Sequence, residues 1–169
     1  MPFSDSILDY LVQKTYNAIP RNARLNTSVQ PIGSATPPPL RNFISHLSRE
    51  VNVPILTWIA TTVYLDRLKP KLGSTKETLR CTAHRIFLAS LIITAKYLDD
   101  DYRINKDWEK HSYMRFNHRL SWFTLRDINL MELEVLSLLD WNLTISALEV
   151  YRRSETFLIS RHNIMSENI

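Results

Sequence analysis

Apolar residues recur at helical spacing through the first part of the chain. One stripe predicts a helix from Asp5 to Ala18 that ends before Pro20. A second predicts a helix of about three turns that begins at Leu40. A third begins near Ile55 and should stop at Pro70, because proline cannot donate the backbone hydrogen bond of a helix interior.

The second half of the chain lacks the residues that usually interrupt helices. All eight prolines lie at or before Pro70, and the two glycines are Gly33 and Gly73. Strand-rich domains need turn residues about every 8–12 positions. The pattern therefore predicts an all-helical second half. Its elements are a long central helix that is closed by the acids at 99–101, a short helix over Asn105–Met114, a helix opened by Thr124, and a last helix near Ser146–Ile159 that buries Leu148 and Tyr151.

Two capping boxes mark predicted helix starts. In this motif the first side chain bonds the backbone of the residue three positions later, and the later side chain bonds back. Ser74 with Glu77 predicts the start of the central segment, and Thr124 with Asp127 predicts the start of the following long helix.

The size and composition are those of one globular domain. The chain has 169 residues, of which 44% are hydrophobic and 22% charged, so it can form a single substantial core. Cys81 is the sole cysteine, which excludes an internal disulfide and favours a reducing compartment. We therefore expect the protein in the nucleus, the cytoplasm or both.

The net charge of +4 is mildly basic. Nucleic-acid binding usually shows as clustered Lys and Arg. The densest basic stretches, residues 67–71 and 152–153, are short. A solvated surface of mixed charge explains the composition better than a nucleic-acid interface does.

Catalytic and metal-binding motifs are not visible. The chain has neither a glycine-rich phosphate loop nor a nucleophile elbow, and its five histidines lack metal-ligand spacing. Cys81 and His84 could suggest a nucleophile and base, but no third group orients them. The triple Asp at 99–101 lacks the Gly and Glu spacing of a calcium loop. We therefore expect no enzymatic activity, no cofactor and no bound metal.

Two charged residues interrupt strongly apolar helical segments. Lys96 ends the run Ile86–Ala95, and Glu132 lies between Leu130-Met131 and Leu133. Such charges either sit at the rim of a core or meet a partner outside the chain. The pair is therefore a candidate docking site on another protein, and an internal Lys96–Glu132 ion pair is the alternative.

Three motifs resemble the cyclin box, in the same order and spacing. They are Val63-Tyr64-Leu65-Asp66-Arg67-Leu68 in the second helix, Ala95-Lys96-Tyr97-Leu98 in the third, and Met131-Glu132-Leu133-Glu134-Val135-Leu136 continuing to Asp140-Trp141-Asn142-Leu143 in the fifth. The run that begins His84-Arg85-Ile86-Phe87-Leu88-Ala89 most resembles the fungal Pcl-type cyclins of the phosphate-pathway group.

The resemblance implies an all-α fold built on a single five-helix cyclin box with flanking helices at both ends. It divides the chain into an N-terminal flanking helix (1–20), a proline-containing linker (21–39), the cyclin box (40–143), and a C-terminal helix and tail (144–169). It also implies a regulatory subunit that binds and activates a cyclin-dependent kinase, positions the kinase C-helix and influences the choice of substrate.

The resemblance also implies which residues contact the kinase. Lys96 and Glu132 match the charged contacts of the family, and the remaining expected contacts are Tyr97, Asp99, Leu136 and Leu143. Asp66 matches a buried structural Asp that usually pairs with an Arg of the first box helix, here Arg41 or Arg49. Leu40-Arg41-Asn42-Phe43-Ile44 matches the substrate-docking motif of cell-cycle cyclins only loosely, so docking of substrates there is doubtful.

Two other functions stay open at this point. The cyclin fold also serves as an adaptor for nucleic acid or transcription machinery, and the basic composition gives this weak support. A small enzyme would need a reactive pocket that the sequence does not reveal.

Overall fold

The structure, a computed structural model, describes residues 3–20, 38–74, 83–98, 104–116, 119–121 and 123–155. Within these ranges the regular secondary structure consists of helices and one short hairpin. The helices are α1 (Asp5–Ala18), α2 (Leu40–Glu50), α3 (Ile55–Ser74), α4 (Ala83–Leu98), α5 (Asn105–Ser112), α6 (Leu125–Leu138) and α7 (147–155). The predicted all-α fold is confirmed.

Helix α4 is the centre of the core. Every residue from Ile86 to Ala95 is buried, because α4 packs against α1, α2, α3 and α6. Small side chains such as Ala89 and Ser90 lie at full burial there and let the neighbouring helices approach closely. A helix enclosed on so many sides is a rigid support for whatever its exposed end carries.

Helix α1 covers the apolar face of α2 and also packs against α3. All four apolar residues of α2 are buried, and Arg41 of α2 bonds the carboxylates of Asp5 and Asp9 on α1. The face that loosely matches the substrate-docking motif is therefore part of the core. The proposed division of the chain at residues 20, 39 and 143 stays a prediction.

Helix α3 is longer than its proline predicts. Pro70 lies inside α3, which continues to Ser74. A proline removes one hydrogen bond of the helix and strains the preceding turn, but the following turn can still form. Ser74 is the last residue of α3, and its predicted capping partner Glu77 lies outside the described residues, as does Cys81, so the Ser74–Glu77 capping box stays a prediction.

The prediction of an all-helical second half was wrong at one place. Helix α5 ends at Ser112, and strands β1 (Met114–Phe116) and β2 (Arg119–Ser121) pair antiparallel. Phe123, directly after the hairpin, is anchored because its backbone N–H donates to the Ser112 hydroxyl at 3.2 Å. The hairpin forms without glycine or proline, so their absence does not exclude short strands.

The capping box at α6 is confirmed. The backbone N–H of Asp127 donates to the Thr124 hydroxyl, and the Thr124 N–H donates to the Asp127 carboxylate. Arg85 of α4 also donates to Asp127, at 2.9 Å, which joins the two helices. Burial tends to raise the pKa of Asp127, but the Thr124 hydrogen bonds and the Arg85 charge outweigh it and hold that pKa below its usual value.

Helix α7 contacts α3 through polar residues. Arg67 of α3 donates to Glu149 at 2.9 Å and to the carbonyl of Thr144 at 2.8 Å. The predicted burial of Leu148 and Tyr151 was therefore wrong, because these ion pairs turn the opposite face of α7 outward and both side chains are exposed.

Asp66 is the point where three helices meet. It accepts hydrogen bonds from Lys14 of α1, at 3.2 Å, and from Arg153 of α7. The expected pairing with Arg41 or Arg49 was wrong, because Arg41 bonds α1 and Arg49 bonds Ser45 within α2. The structural role of Asp66 is thus to hold both flanking helices against α3.

Replacing Asp66 with asparagine should lower the free energy of unfolding by about 1–2 kcal/mol, because two partly buried cations lose their counter-charge. The Asp66 side chain is 32% exposed, so solvent screens part of the loss. Urea unfolding of Asp107→Asn is the matched control, since Asp107 pairs with Lys110 within one helix at 3.5 Å. Equal stability of the two variants would contradict this role.

His84 joins the start of α4 to the chain ahead of α2. Its Nε2 lies 2.7 Å from the carbonyl of Pro38, so Nε2 carries the proton in the neutral ring. Nδ1 is buried and finds no partner among the described residues. Burial lowers the pKa of His84, and the hydrogen bond to Pro38 offsets this only in part.

Protein stability should therefore fall as the pH drops through the ordinary histidine range. The unfolded chain binds a proton on His84 near pH 6.5, whereas the folded chain resists it, so stability is highest above that pH. Urea unfolding between pH 7.5 and 5.5 should show a smaller loss for His84→Gln, whose amide can still donate to Pro38. Parallel losses in both proteins would show that His84 does not carry the effect.

Candidate functional site

Lys96 and Glu132 meet on the surface of the molecule. The Nζ of Lys96 donates to Oε1 of Glu132 at 2.6 Å. The Lys96 side chain is 30% exposed and that of Glu132 is 13% exposed. The pair is therefore internal to the chain and also reachable from outside, so both sequence hypotheses agree with the geometry.

The helices that carry the pair explain its position. Helix α4 is buried up to Ala95, and its last turn then emerges from the core, so Lys96 stands at the boundary. Helix α6 packs through Ile128, Met131 and Val135, which recur on one face. Glu132 follows Met131 at the edge of that face and points toward the end of α4.

Two asparagines extend the charged pair into a network. Nδ2 of Asn105, the first residue of α5, donates to Oε2 of Glu132 at 2.6 Å and to Oδ1 of Asn129 at 2.7 Å. Both carboxylate oxygens of Glu132 are thus occupied, one from α4 and one from α5. Sequence reasoning missed Asn105, because a polar residue at a helix start is ordinary and nothing local connects it with Glu132.

Exposed apolar side chains adjoin this network in sequence. They follow Lys96, precede Asn105 and follow Glu132, and we call them the apolar rim: Tyr97, Leu98, Ile104 and Leu133. Large apolar residues placed around a few polar groups are typical of protein–protein contact surfaces. Tyr97 is thus exposed where the sequence hypothesis needs it.

The segment after α6 contributes a second apolar part. Leu136 and Leu143 are partly buried and pack against the core, and the carbonyl of Leu143 accepts a hydrogen bond from the Tyr64 hydroxyl at 2.7 Å. Burial raises the pKa of Tyr64 far above its ordinary value, so this phenol keeps its proton. The position of Leu143 is therefore held firmly by α3.

Trp141 lies between these leucines and is 62% exposed, although tryptophan is usually at least half-buried. Asp140 and Trp141 both have positive φ, at 52° and 57°. Left-handed backbone costs roughly 1 kcal/mol for a residue other than glycine. The Trp141 N–H bonds the carbonyl of Leu136 at 3.0 Å, which holds this turn. The sequence motif contains Trp141 but does not reveal its exposure.

The other predicted site residues lie elsewhere or outside the described part of the chain. Asp99 falls in the gap after residue 98, so its predicted contact stays a prediction. Asp66 is bonded to Lys14 and Arg153 and takes no part in the Lys96 network.

Within the described part of the chain, the His, Asp and Glu side chains form no cluster suited to a metal ion. In the same residues, no helix has both the length and the apolar character needed to cross a bilayer.

Comparison with known proteins identifies the family. The cyclin N-terminal domain model matches residues 6–144. The chain is 35% identical to PHO85 cyclin-1 of Saccharomyces cerevisiae over 153 residues, which cover 86% of this chain and 50% of the relative. It is 35% identical to PHO85 cyclin-2 (85% and 43% covered) and 30% identical to PHO85 cyclin-9 (93% and 48% covered), both of the same yeast.

The chain spans about half the length of these curated relatives. No solved structure matches it. The resemblance to the Pcl-type group is confirmed by the relatives, and the domain match covers more than half of the chain. This chain therefore belongs to the cyclin family.

Proposed function

We propose that this chain is the regulatory subunit of a cyclin-dependent kinase of the PHO85 type, which it binds and activates. The observation that carries the proposal is the Lys96–Glu132 pair, which is partly exposed at the end of a buried helix and adjoined by the apolar rim. The names of the yeast relatives point to the same kinase. Tyr97, Leu136 and Leu143 would contribute apolar contacts, and Asp99 a polar one.

The proposed mechanism is stabilisation of one kinase conformation. A protein kinase is active when a Lys–Glu pair that includes its C-helix is assembled around the ATP phosphates. A rigid surface that binds only the assembled position of the C-helix shifts the population toward it. Helix α4, buried through Ala95, provides this rigidity. The chain supplies no catalytic group and no cofactor in this mechanism.

The chemistry of the surface indicates what the kinase must present. Lys96 has further N–H groups beyond the one that bonds Glu132, so it can donate to carbonyl or carboxylate oxygens of the partner. The apolar rim would exclude water around those bonds and strengthen them. The kinase surface should therefore combine hydrogen-bond acceptors with apolar side chains.

The adaptor function has less support in the structure. Three of the five cations in the densest basic stretches form ion pairs within the chain: Arg67 bonds Glu149, Lys71 bonds Asp140 at 2.5 Å, and Arg153 bonds Asp66. Cations held by carboxylates contribute little to phosphate binding, so a nucleic-acid partner is disfavoured. We also place the protein in the nucleus or cytoplasm, where such a kinase would be met.

Co-purification with the yeast PHO85 kinase tests the proposal. A stable one-to-one complex on size exclusion, which forms from the two purified proteins, is the expected result. A salt-dependent shift of duplex DNA by the chain, with no kinase complex, would instead favour the adaptor function. Substrate choice by the complex can then be read from a panel of Ser-Pro and Thr-Pro peptides.

A further inference from the structure

We infer that Asn105 is a positioning residue of the kinase-docking surface, which acts through Glu132 to hold the Lys96 ammonium toward the partner. The inference rests on the proposed function and adds to it a residue that no motif identifies. Its basis is that Asn105 Nδ2 and Lys96 Nζ bond different oxygens of the same carboxylate.

The two hydrogen bonds hold the Glu132 carboxylate from two different helices, α4 and α5. Lys96 reaches Oε1 from α4 at 2.6 Å, and Asn105 reaches Oε2 from α5 at 2.6 Å. A carboxylate held at one oxygen can still rotate about its last side-chain bond, whereas one held at both oxygens has a single orientation. Glu132 therefore offers Lys96 an acceptor at a defined place.

The orientation of the Asn105 amide follows from its neighbours. An ionised carboxylate can only accept hydrogen bonds, so the NH₂ group of Asn105 must face Glu132. The second N–H of that group then points at Oδ1 of Asn129, at 2.7 Å. The reversed amide would set its oxygen against a carboxylate and lose the bond to Glu132.

The orientation of the Asn105 amide lowers the stability of the fold, which a purely structural role of Asn105 would avoid. With the NH₂ group committed to Glu132, Oδ1 of Asn105 is buried and has no partner among the described residues. A buried polar atom without a hydrogen bond is destabilising and calls for an explanation. The orientation of Glu132 is the explanation that the contacts provide.

The network also divides the roles of the two charged residues. Glu132 has both oxygens occupied and only 13% of its side chain exposed, so it faces the interior of the network. Lys96 is more than twice as exposed, at 30%, and one of its N–H groups bonds a described residue, Glu132. Lys96 is thus the donor to the partner, and Asn105 and Glu132 set its position.

The test is the dissociation constant of the PHO85 kinase complex for Asn105 variants, measured by calorimetry. Asn105→Ala should weaken binding roughly 5- to 20-fold, because the charge-assisted bond to Glu132 is lost. Lys110→Ala is the matched control, since Lys110 lies on the same helix and bonds only toward Asp107 among the described residues. The control should bind like the wild type.

An isosteric variant separates positioning from packing. Asn105→Asp keeps the shape of the side chain but replaces the donor with an acceptor that repels Glu132. If Asn105 positions Glu132, the aspartate should bind the kinase more weakly than the alanine variant does. If Asn105 only fills space, the aspartate should bind like the wild type and the alanine should be the weaker one.

A double-mutant cycle tests whether Asn105 acts through Glu132. In a Glu132→Ala background, adding Asn105→Ala should change the dissociation constant by less than about twofold. A loss as large as in the wild-type background would overturn the inference. Wild-type protein that fails to bind the kinase would instead refute the proposed function, and circular dichroism of each variant excludes unfolding as the cause of a loss.

Discussion

Replacing Lys96 with alanine should weaken kinase binding by about 2–5 kcal/mol, or roughly 30- to 5,000-fold in Kd. The substitution removes the donor of the docking surface and leaves Glu132 without its counter-ion at 13% exposure. Removing one member of such a pair costs more than the pair itself contributes, because the remaining charge is poorly solvated. Calorimetric titration of the kinase with the wild type and with Lys96→Ala measures the two dissociation constants.

The stability of the free Lys96→Ala variant decides between the two hypotheses for the pair. If the ion pair only stabilises the fold, Lys96→Ala should lower the midpoint of thermal unfolding. Its kinase affinity should then stay within about threefold of the wild type. If Lys96 contacts the kinase, affinity should collapse while the variant stays folded at the assay temperature. Lys110→Ala, at an exposed position of α5, should change neither the unfolding temperature nor the kinase affinity.

The largest expected effect on stability is that of Trp58→Ala, at about 3–5 kcal/mol. Trp58 is fully buried, its ring lies 4.8 Å from that of Phe3 and 6.1 Å from that of Phe87, and its N–H donates to the carbonyl of Val53 at 3.2 Å. The substitution would leave a cavity between α1, α3 and α4 and an unpaired carbonyl. The midpoint of thermal unfolding should fall by roughly 6–20 °C.

Trp141→Ala is the matched control for this stability prediction. Trp141 is 62% exposed, so its removal leaves no cavity, and the unfolding free energy should stay within about 0.5 kcal/mol of the wild type. A loss for Trp141→Ala comparable with that for Trp58→Ala would show that the turn at Asp140 and Trp141 contributes to the fold instead of presenting a side chain to a partner.

Helix positions could be predicted well where an apolar stripe faces the core. The predicted range Asp5–Ala18 is that of α1, and the Thr124 capping box opens α6 as expected. Such stripes show which face of a helix is apolar, and in most helices that face is buried. Local spacing was therefore sufficient for these elements.

Predictions failed where distant ion pairs outweigh the local pattern. In α7 the apolar residues Leu148 and Tyr151 suggested an inward face, but Arg67 and Asp66 of α3 bind Glu149 and Arg153 and turn that face outward. In each of these two ion pairs the partners are more than 80 residues apart in the sequence, so a local pattern cannot reveal them.

Two residues of the candidate site could be predicted from the local sequence pattern, and a third could not. Lys96 and Glu132 are conspicuous because each interrupts an apolar helix, and the structure brings them to 2.6 Å. Asn105 lies in a polar helix, where one more polar residue carries no signal, and its importance appears only with the bond to Glu132. The roles of Lys96 and Glu132 in kinase binding stay predictions.

Kinase activation is the most direct test of the central claim. The phosphorylation rate of a Ser/Thr-Pro peptide by purified yeast PHO85 kinase would be followed while this protein is titrated in. The rate should rise with the concentration of the complex and saturate, and Lys96→Ala should shift the titration to much higher concentration. An unchanged rate with saturating, folded wild-type protein would contradict the assignment as an activating cyclin for this kinase.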